Sequence, residues 1–511
     1  MPTDPRLTRL DETRVRVANP HGVEVTLFAN ERVPVEAAAV TELVDLLALQ
    51  DTVQQVAAAA PDSFDRDPGV VRVAITPDFH KARGIPVGTV LATRGFVVPQ
   101  AIGNDINCGM RLHTTNLRPD EVAAKVDDLE TAFRSLFFEA GRNIPMTRQQ
   151  RLAMLTGGLE GLLDATPPDL DEGLWPLVRE LGVGDQLDRV ERRGSLPAGR
   201  VFGLTDFLGT DDRLSRDGQI GSIGGGNHFV EIQKVEKVLD GPVAHAWGLK
   251  PGVVTVMVHT GSVGVGHLCG GHYRDVVRKL HPATLKHPAN GVFLLPEGDR
   301  HRAEAELFWD ALHNAANFAY ANRMFLAVMA VAGMRRVFGD RVGADLLYDA
   351  PHNFVWKDEL DGEEVVLHRK GATPARGFEA MAGTPFAYHG EPVLVPGSMG
   401  ASSFVLVGQG NAGAMASASH GAGRVLSRGE AMRGFDAEFR DFLARFRVVT
   451  PTDLRRADLR QRPDILAKKL EEIKQEAPFA YKGIGPVVET LTAAGIARPV
   501  AELTPLMTVK G

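Results

Sequence analysis

The sequence predicts one large domain in which helices and strands are mixed. At 511 residues the chain is long for one domain and short for three. Short apolar runs with β-branched residues are interspersed with longer helical stretches, and glycine-flanked polar motifs recur from residue 105 to residue 482. Because no repeat, low-complexity tract or clear linker separates these motifs, we expect residues 1–511 to form a single domain assembled from the whole chain.

Composition and charge are those of an ordinary soluble protein. Hydrophobic residues make up 44% of the chain and charged residues 24%. Residues 1–14 lack the apolar core of a signal peptide, and the longest apolar run, residues 324–334, is shorter than the ~20 residues of a membrane span. The two cysteines, Cys108 and Cys269, favour a reducing compartment, so we expect a cytoplasmic protein with no membrane partner.

Net charge excludes a general nucleic-acid binder held by counterion release. The formal charge is −7 and the pI is about 6.2. A phosphate-rich partner therefore needs a local basic site.

The N-terminal part predicts strands around one helix. Apolar runs predict strands at residues 15–17, 23–28 and 70–75, and a glycine-punctuated run at 84–98 predicts further buried strands. Residues 36–60 are rich in alanine and leucine and end before Pro61, which predicts a helix.

The middle segment, residues 119–201, is helical and charged. Its pattern predicts helices at residues 120–141, 147–163 and 171–193. It carries no motif of recognisable chemistry, and two interpretations stay open: an insertion, or an arm that contacts substrate.

The C-terminal half predicts a central helix, a glycine turn and two tail helices. Residues 299–338 form a long helical pattern whose polar residues Asn314, Asn317, Asn322 and Arg323 are interpreted as one face of a scaffold helix. Residues 396–403 lie between the strand-like runs 392–395 and 404–407, and the N–H groups of such a turn can cradle phosphate. Amphipathic helices are expected at 435–446 and 464–475.

A set of metal-ligating residue types follows or ends apolar runs beside glycine or other small residues. The set is Asp105, Cys108, His228, His259 and His352. Carboxylate, thiolate and imidazole in this ratio are metal ligands, and a thiolate can bridge two ions. Each residue also has an ordinary alternative as a capping aspartate, a buried free cysteine or a satisfied core histidine. Their joint presence in glycine-rich surroundings favours the metal hypothesis.

His420 lies in a stretch of small residues that leaves room for a large ligand. The stretch reads Ser417-Ala418-Ser419-His420-Gly421-Ala422-Gly423-Arg424. The alternative interpretation is that His420 only opens a helix running through Arg428.

These motifs, in this order over about residues 70–490, resemble the RtcB-type RNA ligases. The resemblance rests on Asp105-Ile106-Asn107-Cys108-Gly109-Met110-Arg111, Gly226-Asn227-His228-Phe229-Val230-Glu231-Ile232-Gln233, His259 with Gly261-Ser262, Ala316-Asn317-Phe318-Ala319, His352-Asn353, His368-Arg369-Lys370-Gly371-Ala372-Thr373, Pro396-Gly397-Ser398-Met399-Gly400, His420-Gly421-Ala422-Gly423-Arg424 and Ala480-Tyr481-Lys482. As an ordered set the motifs are highly specific.

The resemblance implies an α+β fold with mixed sheets around a dinuclear manganese centre, peripheral helices, and GTP-dependent RNA ligation. By motif position, Cys108 would bridge the metals that Asp105, His228, His259 and His352 also hold, and His420 would be the nucleophile that becomes guanylylated. The implied guanosine contacts are Asn227, Glu231, Ser398, Ser403 and Lys482. The implied partners are GTP and an RNA with a 3′-phosphate or 2′,3′-cyclic phosphate and a 5′-hydroxyl, in tRNA splicing or RNA repair; a protein activator is left open.

One motif departs from the family pattern. The family usually reads His-Ser-Gly-Ser-Arg-Gly, whereas this chain reads His259-Thr260-Gly261-Ser262-Val263-Gly264. An arginine can hold a phosphate through two hydrogen bonds and valine cannot. Besides an RNA ligase, two alternatives follow: a paralogue that guanylylates or caps other phosphate ends with weak ligation, and a non-enzymatic RNA-binding relative. The last would be expected to lose ligands or nucleophile, and this chain keeps all six.

Overall fold

Two large sheets and one long buried helix make up the fold. The computed structural model describes residues 4–82, 84–103, 105–139, 141–454, 456 and 462–511. The α-helices are α1 (Ala37–Leu47), α2 (Leu49–Ala59), α3 (Pro119–Ala124), α4 (Val126–Phe138), α5 (Arg148–Asp164), α6 (Trp175–Glu180), α7 (Thr205–Leu208), α8 (Gly241–Ala246), α9 (Val263–Leu280), α10 (Arg302–Phe338), α11 (Arg428–Met432), α12 (Asp436–Arg445), α13 (Pro463–Lys474) and α14 (Ile484–Ala493). The mixture of helices and sheets confirms the predicted α+β class.

The first sheet has seven strands, in the order β1-β2-β3-β4-β5-β13-β12. Its strands are β1 (Leu7–Arg9), β2 (Arg14–Val17), β3 (Val25–Phe28), β4 (Gly69–His80), β5 (Val87–Arg94), β12 (Asn353–Leu360) and β13 (Glu363–Lys370). The β3–β4 pair is parallel and the other pairs are antiparallel. One face packs its valines and leucines against α1 and α2. Strands from residues 7–94 and from residues 353–370 therefore share this sheet.

The second sheet has eight strands, seven of them in the order β11-β7-β9-β8-β19-β16-β15, with β18 paired to β19. Its strands are β7 (Gly109–Thr115), β8 (Phe229–Val238), β9 (Val254–Thr260), β11 (Ala344–Pro351), β15 (Pro392–Val395), β16 (Ser403–Gly408), β18 (Arg447–Val449) and β19 (Ala497–Val509). Two short ribbons complete the set: β6 (Phe96–Val97) with β10 (Leu295–Pro296), and β14 (Ala372–Pro374) with β17 (Ser417–Ser419). The antiparallel β15–β16 hairpin confirms the predicted strand, glycine turn and strand.

Helix α10 is the centre of the largest hydrophobic cluster. Its 37 residues give a length of about 55 Å, and it packs against valines and isoleucines of β8 and β9 on one side. Its buried asparagines bind loop backbone: Asn317 donates from Nδ2 to the Leu155 and Leu196 carbonyls at 3.0 and 2.7 Å, and Asn322 Oδ1 accepts from the Gly221 N–H at 2.8 Å. The predicted scaffold helix is confirmed.

The helical segment 119–201 packs on the other side of α10. Trp175 of α6 meets Phe325 edge to face, with ring centroids 5.4 Å apart, and leucines of α4 and α5 complete this part of the core. The described residues of this segment do not line the cavity presented below, which argues against an arm that contacts substrate.

Several predicted helices are shorter than their periodicity indicates. The helix expected at 36–60 is interrupted at Ala48, and that at 120–141 at Lys125. The third, at 171–193, is reduced to α6 followed by 3₁₀ turns, because Gly182 has φ +58°, a left-handed conformation that ends a helix. Helices α12 and α13 confirm the two tail predictions to within one residue at each end. None of the helices in the described ranges combines the length and apolar character that a membrane crossing requires.

Candidate active site

Four of the five predicted metal ligands lie at one edge of the eight-stranded sheet. Cys108 directly precedes β7, His228 directly precedes β8, His259 is near the end of β9 and His352 directly follows β11. Because neighbouring strands in the order β11-β7-β9-β8 are antiparallel, the starts of β7 and β8 meet the ends of β9 and β11. The sheet therefore brings together residues that are up to 244 positions apart in the sequence (108 to 352).

The ligand atoms of these residues converge. Cys108 Sγ lies 3.3 Å from His228 Nε2 and 3.3 Å from His259 Nε2, and His259 Nε2 lies 3.3 Å from His352 Nε2. Asp105 Oδ2 completes the set at 2.8 Å from His228 Nε2. The atoms form two triads, Cys108 with His259 and His352, and Cys108 with Asp105 and His228, each within 4.8 Å. Cys108 is the member common to both triads.

A buried ionic network holds the loop that carries Cys108. Asn107 has φ +58°, and the Arg323 guanidinium donates to its carbonyl at 2.6 Å and to its Oδ1 at 2.8 Å. Arg323 is in turn bound by Asp349 Oδ1 at 2.8 Å, and both side chains are fully buried. Because asparagine tolerates the left-handed region better than most residues, these contacts fix the turn into β7.

The glycine at position 261 is required by the close approach of Asp105. A Cβ at Gly261 would lie 2.5 Å from Asp105 Oδ1, which is closer than any van der Waals contact allows. The same carboxylate oxygen accepts from the Val263 N–H at 3.2 Å. Any side chain at position 261 would displace the carboxylate from His228.

The protonation states around the cluster suit a cation. Burial lowers the pKa of His259 and of His352 well below their ordinary value, so both rings are neutral and offer lone pairs. The Nδ1 atom of His228 lies 3.1 Å from the Ile223 carbonyl oxygen, which takes the single ring proton of a neutral imidazole. Its Nε2 lone pair then faces the Asp105 carboxylate at 2.8 Å, so a proton or a cation must lie between them.

The donor set also fits a transition metal by its chemistry. Burial, reinforced by Asp105, raises the pKa of the Cys108 thiol well above its ordinary value, and a bound cation is what would make it a thiolate. Sulfur, imidazole and carboxylate together suit manganese or zinc better than calcium or magnesium, which prefer oxygen. The five residues are therefore able to hold the two ions that the sequence predicts.

His420 stands beside this cluster and is held by a buried carboxylate. Its ring lies 4.7 Å from the ring of His352, measured between centroids, and its Nδ1 lies 2.5 Å from Asp78 Oδ2. Asp78 is fully buried on β4 and also accepts from the Thr76 hydroxyl at 2.5 Å. Burial acts to raise the pKa of Asp78, but the contacts with His420 and Thr76 outweigh it and the pKa lies below its ordinary value. Asp78 is therefore ionised, and it fixes the proton of His420 on Nδ1.

The alternative in which His420 opens a helix through Arg428 is wrong. Residues 420–427 form turns and a single bridge between Arg424 and Tyr481, and α11 begins only at Arg428. Gly371, at φ +66°, packs against this loop, and a Cβ there would lie 3.1 Å from His420 Nδ1 and 2.2 Å from a Val87 methyl. His420 thus projects from a tight, glycine-lined turn.

A cavity of about 1320 Å³ opens over the cluster and His420. It is lined by the cations Lys81, Lys370, Arg424, Arg428 and Lys510. Glu36, Glu430 and Glu476 also line it, and Glu476 is paired with Arg424 at 3.0 Å and with Arg428 at 3.3 Å. The local basic character that a phosphate-rich partner requires therefore comes mainly from the lysines. Arg369, the other candidate cation in its motif, is buried elsewhere and donates to Ser417 Oγ at 2.8 Å.

The five predicted guanosine contacts are distributed over three positions. Asn227 and Ser398 line the cavity. Glu231 and Ser403 lie behind its wall, joined by Gln233, whose amide donates to Glu231 Oε1 at 2.8 Å and to Ser403 Oγ at 3.0 Å. Burial raises the pKa of Glu231 to about 7. Lys482 does not line the cavity; its Nζ donates to the Phe79 carbonyl of β4 at 2.6 Å.

The sequence analysis missed several residues of the site, among them Asp78, which holds His420, and the cavity-lining Lys510 and Tyr481. Asp78 and Lys510 each stand in or beside an apolar strand with no motif of their own, and Lys510 donates from Nζ to the His228 carbonyl at 2.8 Å. Tyr481 lines the cavity, whereas the adjacent Lys482 does not, because the backbone is extended at Tyr481, which pairs with Arg424, and successive side chains there point in opposite directions. That alternation is the signal that distinguishes Tyr481 from its neighbour.

Comparison with known proteins places this architecture in a family. The sequence model described as tRNA-splicing ligase RtcB matches residues 62–511. A protein of Thermococcus kodakarensis named tRNA-splicing ligase RtcB is 34% identical over 509 residues, covering 94% of this chain and 95% of that protein. RNA-splicing ligase RtcB of Mycobacterium tuberculosis is 35% identical, covering 87% of this chain and 98% of that protein. The chain therefore belongs to the tRNA-splicing ligase RtcB family.

Proposed function

We propose that this protein is an RNA ligase that joins an RNA 3′-phosphate, or a 2′,3′-cyclic phosphate once opened, to a 5′-hydroxyl, using GTP and two manganese ions. The observation that carries the proposal is the oriented His420, held between Asp78 and the metal-ligand cluster on the wall of a cationic cavity. A ligase of RNA processing is expected to act in the cytoplasm, in tRNA splicing or RNA repair.

His420 acts as the nucleophile in this proposal. With its proton held on Nδ1 by Asp78, Nε2 has the lone pair that attacks the α-phosphorus of GTP. A nitrogen–phosphorus bond forms as the bond to pyrophosphate breaks, and pyrophosphate leaves with that electron pair. The GMP group then passes to an oxygen of the RNA 3′-phosphate and returns His420 to its neutral form. The 5′-hydroxyl attacks the activated phosphorus, and GMP departs.

The metal ions are assigned to the two triads. Asp105, Cys108 and His228 would hold one ion, and Cys108, His259 and His352 the other, with Cys108 shared. When bound, such ions neutralise charge on phosphate oxygens. The residues themselves would contribute neutral imidazoles, one thiolate and the Asp105 carboxylate, so two divalent ions would leave the cluster with a net positive charge that attracts phosphates.

The guanosine nucleotide is assigned to the part of the cavity opposite the first sheet. Asn227 and Ser398 are placed to contact it directly, and Ser403 supports the Ser398 turn by accepting from the Gly397 N–H at 3.2 Å. Glu231 stays a predicted contact: its oxygens are bound here by Gln233 and Thr508, and once released, an ionised Glu231 could accept from guanine N1–H and N2–H, which adenine lacks, and would favour GTP over ATP. Lys482 stays a predicted contact, although its ammonium is bound to strand β4.

The capping paralogue is the less favoured alternative. The relatives that cover most of this chain are named as splicing ligases of tRNA or RNA. The cations Lys370, Arg424 and Arg428 line the same cavity as His420, where they can hold RNA phosphates next to the activated end.

Joining of defined RNA ends tests the proposal. With GTP and Mn²⁺, the protein is expected to convert a 3′-phosphate RNA and a 5′-hydroxyl RNA into one joined strand, detected as a longer product on a denaturing gel. RNA with a 3′-hydroxyl is the matched control and should stay unjoined, because it has no phosphate to activate. Formation of a guanylylated 3′ end without any joined product would instead support the capping paralogue.

Val263→Arg is expected to raise the rate of joining. Val263 lines the cavity at the position where the family motif has arginine, and it has φ +48°, which is strained for a β-branched residue by about 1 kcal/mol or more. Arginine adds a cation for the RNA phosphate and is less strained there, so we expect roughly 10-fold faster joining with no loss of thermal stability. Single-turnover kinetics at fixed salt measure the change, and an unchanged rate would assign that role to Lys370.

A further inference from the structure

A second histidine, His80, is hydrogen-bonded to Asp78, the residue that also binds His420, and it has no role in the chemistry described so far. His80 ends strand β4, two residues beyond Asp78, and it lines the same cavity as His420. Its Nδ1 lies 2.7 Å from the main-chain carbonyl oxygen of Asp78. The two histidines are therefore fixed to one residue, His420 through the side chain of Asp78 and His80 through its backbone.

This hydrogen bond determines which nitrogen of His80 is reactive. A carbonyl oxygen only accepts, so Nδ1 must carry the proton and donate it. The opposite nitrogen, Nε2, then has a lone pair, and it has no hydrogen-bond partner among the described residues. Burial lowers the pKa of His80 to about 4, and the charges of His420 and Lys482 act in the same direction, so the ring is neutral at pH 7. Bound phosphates would oppose this lowering and make Nε2 more basic.

The cavity wall around His80 lies on segments other than those of Asn227 and Ser398, although the predicted guanosine contact Lys482 is bound to the carbonyl of the neighbouring Phe79. The wall comes from the first sheet and α1, through Glu36, Lys81 and Lys370, whereas Asn227, Ser398 and Tyr481 lie on other segments. The Lys370 ammonium has no hydrogen-bond or ion-pair partner among the described residues. Burial lowers its pKa to about 8, so it is still mainly charged at pH 7. A free cation beside a free imidazole suits a phosphodiester strand whose terminal hydroxyl must lose a proton.

We propose that His80 is the general base that accepts the proton of the RNA 5′-hydroxyl during the joining step. This inference rests on the proposed function. The 5′-oxygen forms a bond to the phosphorus of the activated 3′ end, the bond from that phosphorus to the GMP phosphate breaks, and GMP leaves with the electron pair. The hydroxyl proton moves to Nε2 of His80, and the resulting imidazolium returns it to solvent after GMP has left.

Other cavity groups outside the metal-ligand cluster can accept a proton, and they are less well placed. Glu476 is paired with Arg424 and Arg428, and the Glu430 carboxylate accepts from the Ser427 N–H at the start of α11. His267 is bound through Nδ1 to the Val263 carbonyl at 3.1 Å, but its side chain is exposed and it lies on α9, away from β4. Glu36 is a carboxylate whose pKa is raised by burial, and its negative charge would repel the RNA phosphate. His80 is neutral, half-buried and attached to the strand that positions the nucleophile.

The test separates the joining step from the GTP steps. His80→Asn keeps a donor for the Asp78 carbonyl, since the amide nitrogen of asparagine replaces Nδ1–H, but removes Nε2. The full-length variant is compared with the wild type in two assays: covalent labelling by GTP labelled at the α-phosphate, and single-turnover joining of RNA whose 3′-phosphate has been linked to GMP in advance. His245→Asn, an exposed histidine of α8 outside the cavity, is the control.

We expect His80→Asn to label with GMP at nearly the wild-type rate and to join pre-activated RNA about 10²-fold or more slowly. Equal joining rates would overturn the proposal. So would an equal loss in both assays, because His80 would then act through Asp78 on His420. A loss in His267→Asn and not in His80→Asn would move the role to His267. If the wild type neither labels nor joins, the proposed function fails, and this inference with it.

Discussion

His420→Ala is expected to abolish covalent transfer of GMP to the protein. In the wild type, His420 Nδ1 lies 2.5 Å from Asp78 Oδ2 and carries the ring proton, so the lone pair is on Nε2. Alanine removes a side-chain nitrogen that is oriented by Asp78 and lies in a ring in contact with His352 of the metal-ligand cluster. We expect label from α-phosphate-labelled GTP to fall to background, a loss of about 10⁴-fold or more. Joining of RNA ends should disappear with it.

The chemistry of the bond identifies the residue. A phosphorus–nitrogen link to imidazole is acid-labile and alkali-stable, so the label should be released by acid and retained in base. ATP should label the protein far less, since Glu231 would face the wrong base edge. Label that persists in His420→Ala, or that survives acid, would move the nucleophile to another residue. Absence of label in the wild type under any metal would favour a binding protein.

Asp78→Asn provides a matched control for orientation. An asparagine amide can donate to Nδ1, which would move the ring proton to Nε2 and remove the attacking lone pair while leaving the shape of the site intact. A comparable change in a Ser-His-Asp triad lowers turnover by about 10⁴-fold, and we expect a loss of similar order in the rate of GMP labelling. Thermal unfolding should change little. A variant that labels at the wild-type rate would show that Asp78 does not set the tautomer.

The sequence allowed the metal-ligand set to be predicted because each member stands at the end of an apolar run. Cys108, His228, His259 and His352 interrupt the β pattern next to glycine or small residues, and polar side chains at strand ends can meet at one sheet edge. What the sequence could not give was which ends meet. The order β11-β7-β9-β8 depends on long-range pairing, and it puts the strand of His259 between those that follow Cys108 and His228, with Cys108 Sγ 3.3 Å from both histidines.

Contacts between residues that are far apart in the chain were the second feature that the sequence alone could not predict. Asp78 and His420 are 342 positions apart, and Asp78 looked like a loop residue after a buried strand. In the structure β4 continues to His80, so Asp78 is a strand residue. Its N–H donates to Ser419 Oγ of β17, and its carboxylate binds the imidazole of His420. Lys482 was chosen over Tyr481 by motif position, although a period of two along an extended segment separates their directions. Local periodicity also overestimated the length of two helices, which the structure interrupts at Ala48 and at Lys125.

Cys108→Ala is expected to disable metal binding at both triads. Cys108 Sγ lies 3.3 Å from the ligand nitrogens of both His228 and His259, so its removal takes one ligand from each group of three. The remaining pairs, Asp105 with His228 and His259 with His352, are too few to compete with water for a labile ion such as Mn²⁺. GMP labelling should therefore fall to background.

Metal dependence of stability separates this loss from misfolding. Because Cys108 is a small buried side chain whose thiol is protonated without metal, alanine should cost the metal-free protein only about 1 kcal/mol. Added Mn²⁺ should raise the melting temperature of the wild type, since a ligand that binds the folded state stabilises it, and should leave that of Cys108→Ala unchanged. Cys269→Ala is the control, since Cys269 is equally buried on α9 but outside both triads.

The same titration identifies the metal. Zinc also suits a thiolate with imidazoles, so Zn²⁺ should stabilise the wild type at least as strongly as Mn²⁺ while supporting less GMP transfer, because it favours a closed four-coordinate site. Metal analysis of the purified protein shows which ion it carries. A Cys108→Ala protein that still gains stability from Mn²⁺ and labels with GMP at the wild-type rate would mean that Cys108 bridges nothing, and that the 3.3 Å contacts belong to an ordinary buried thiol among histidines.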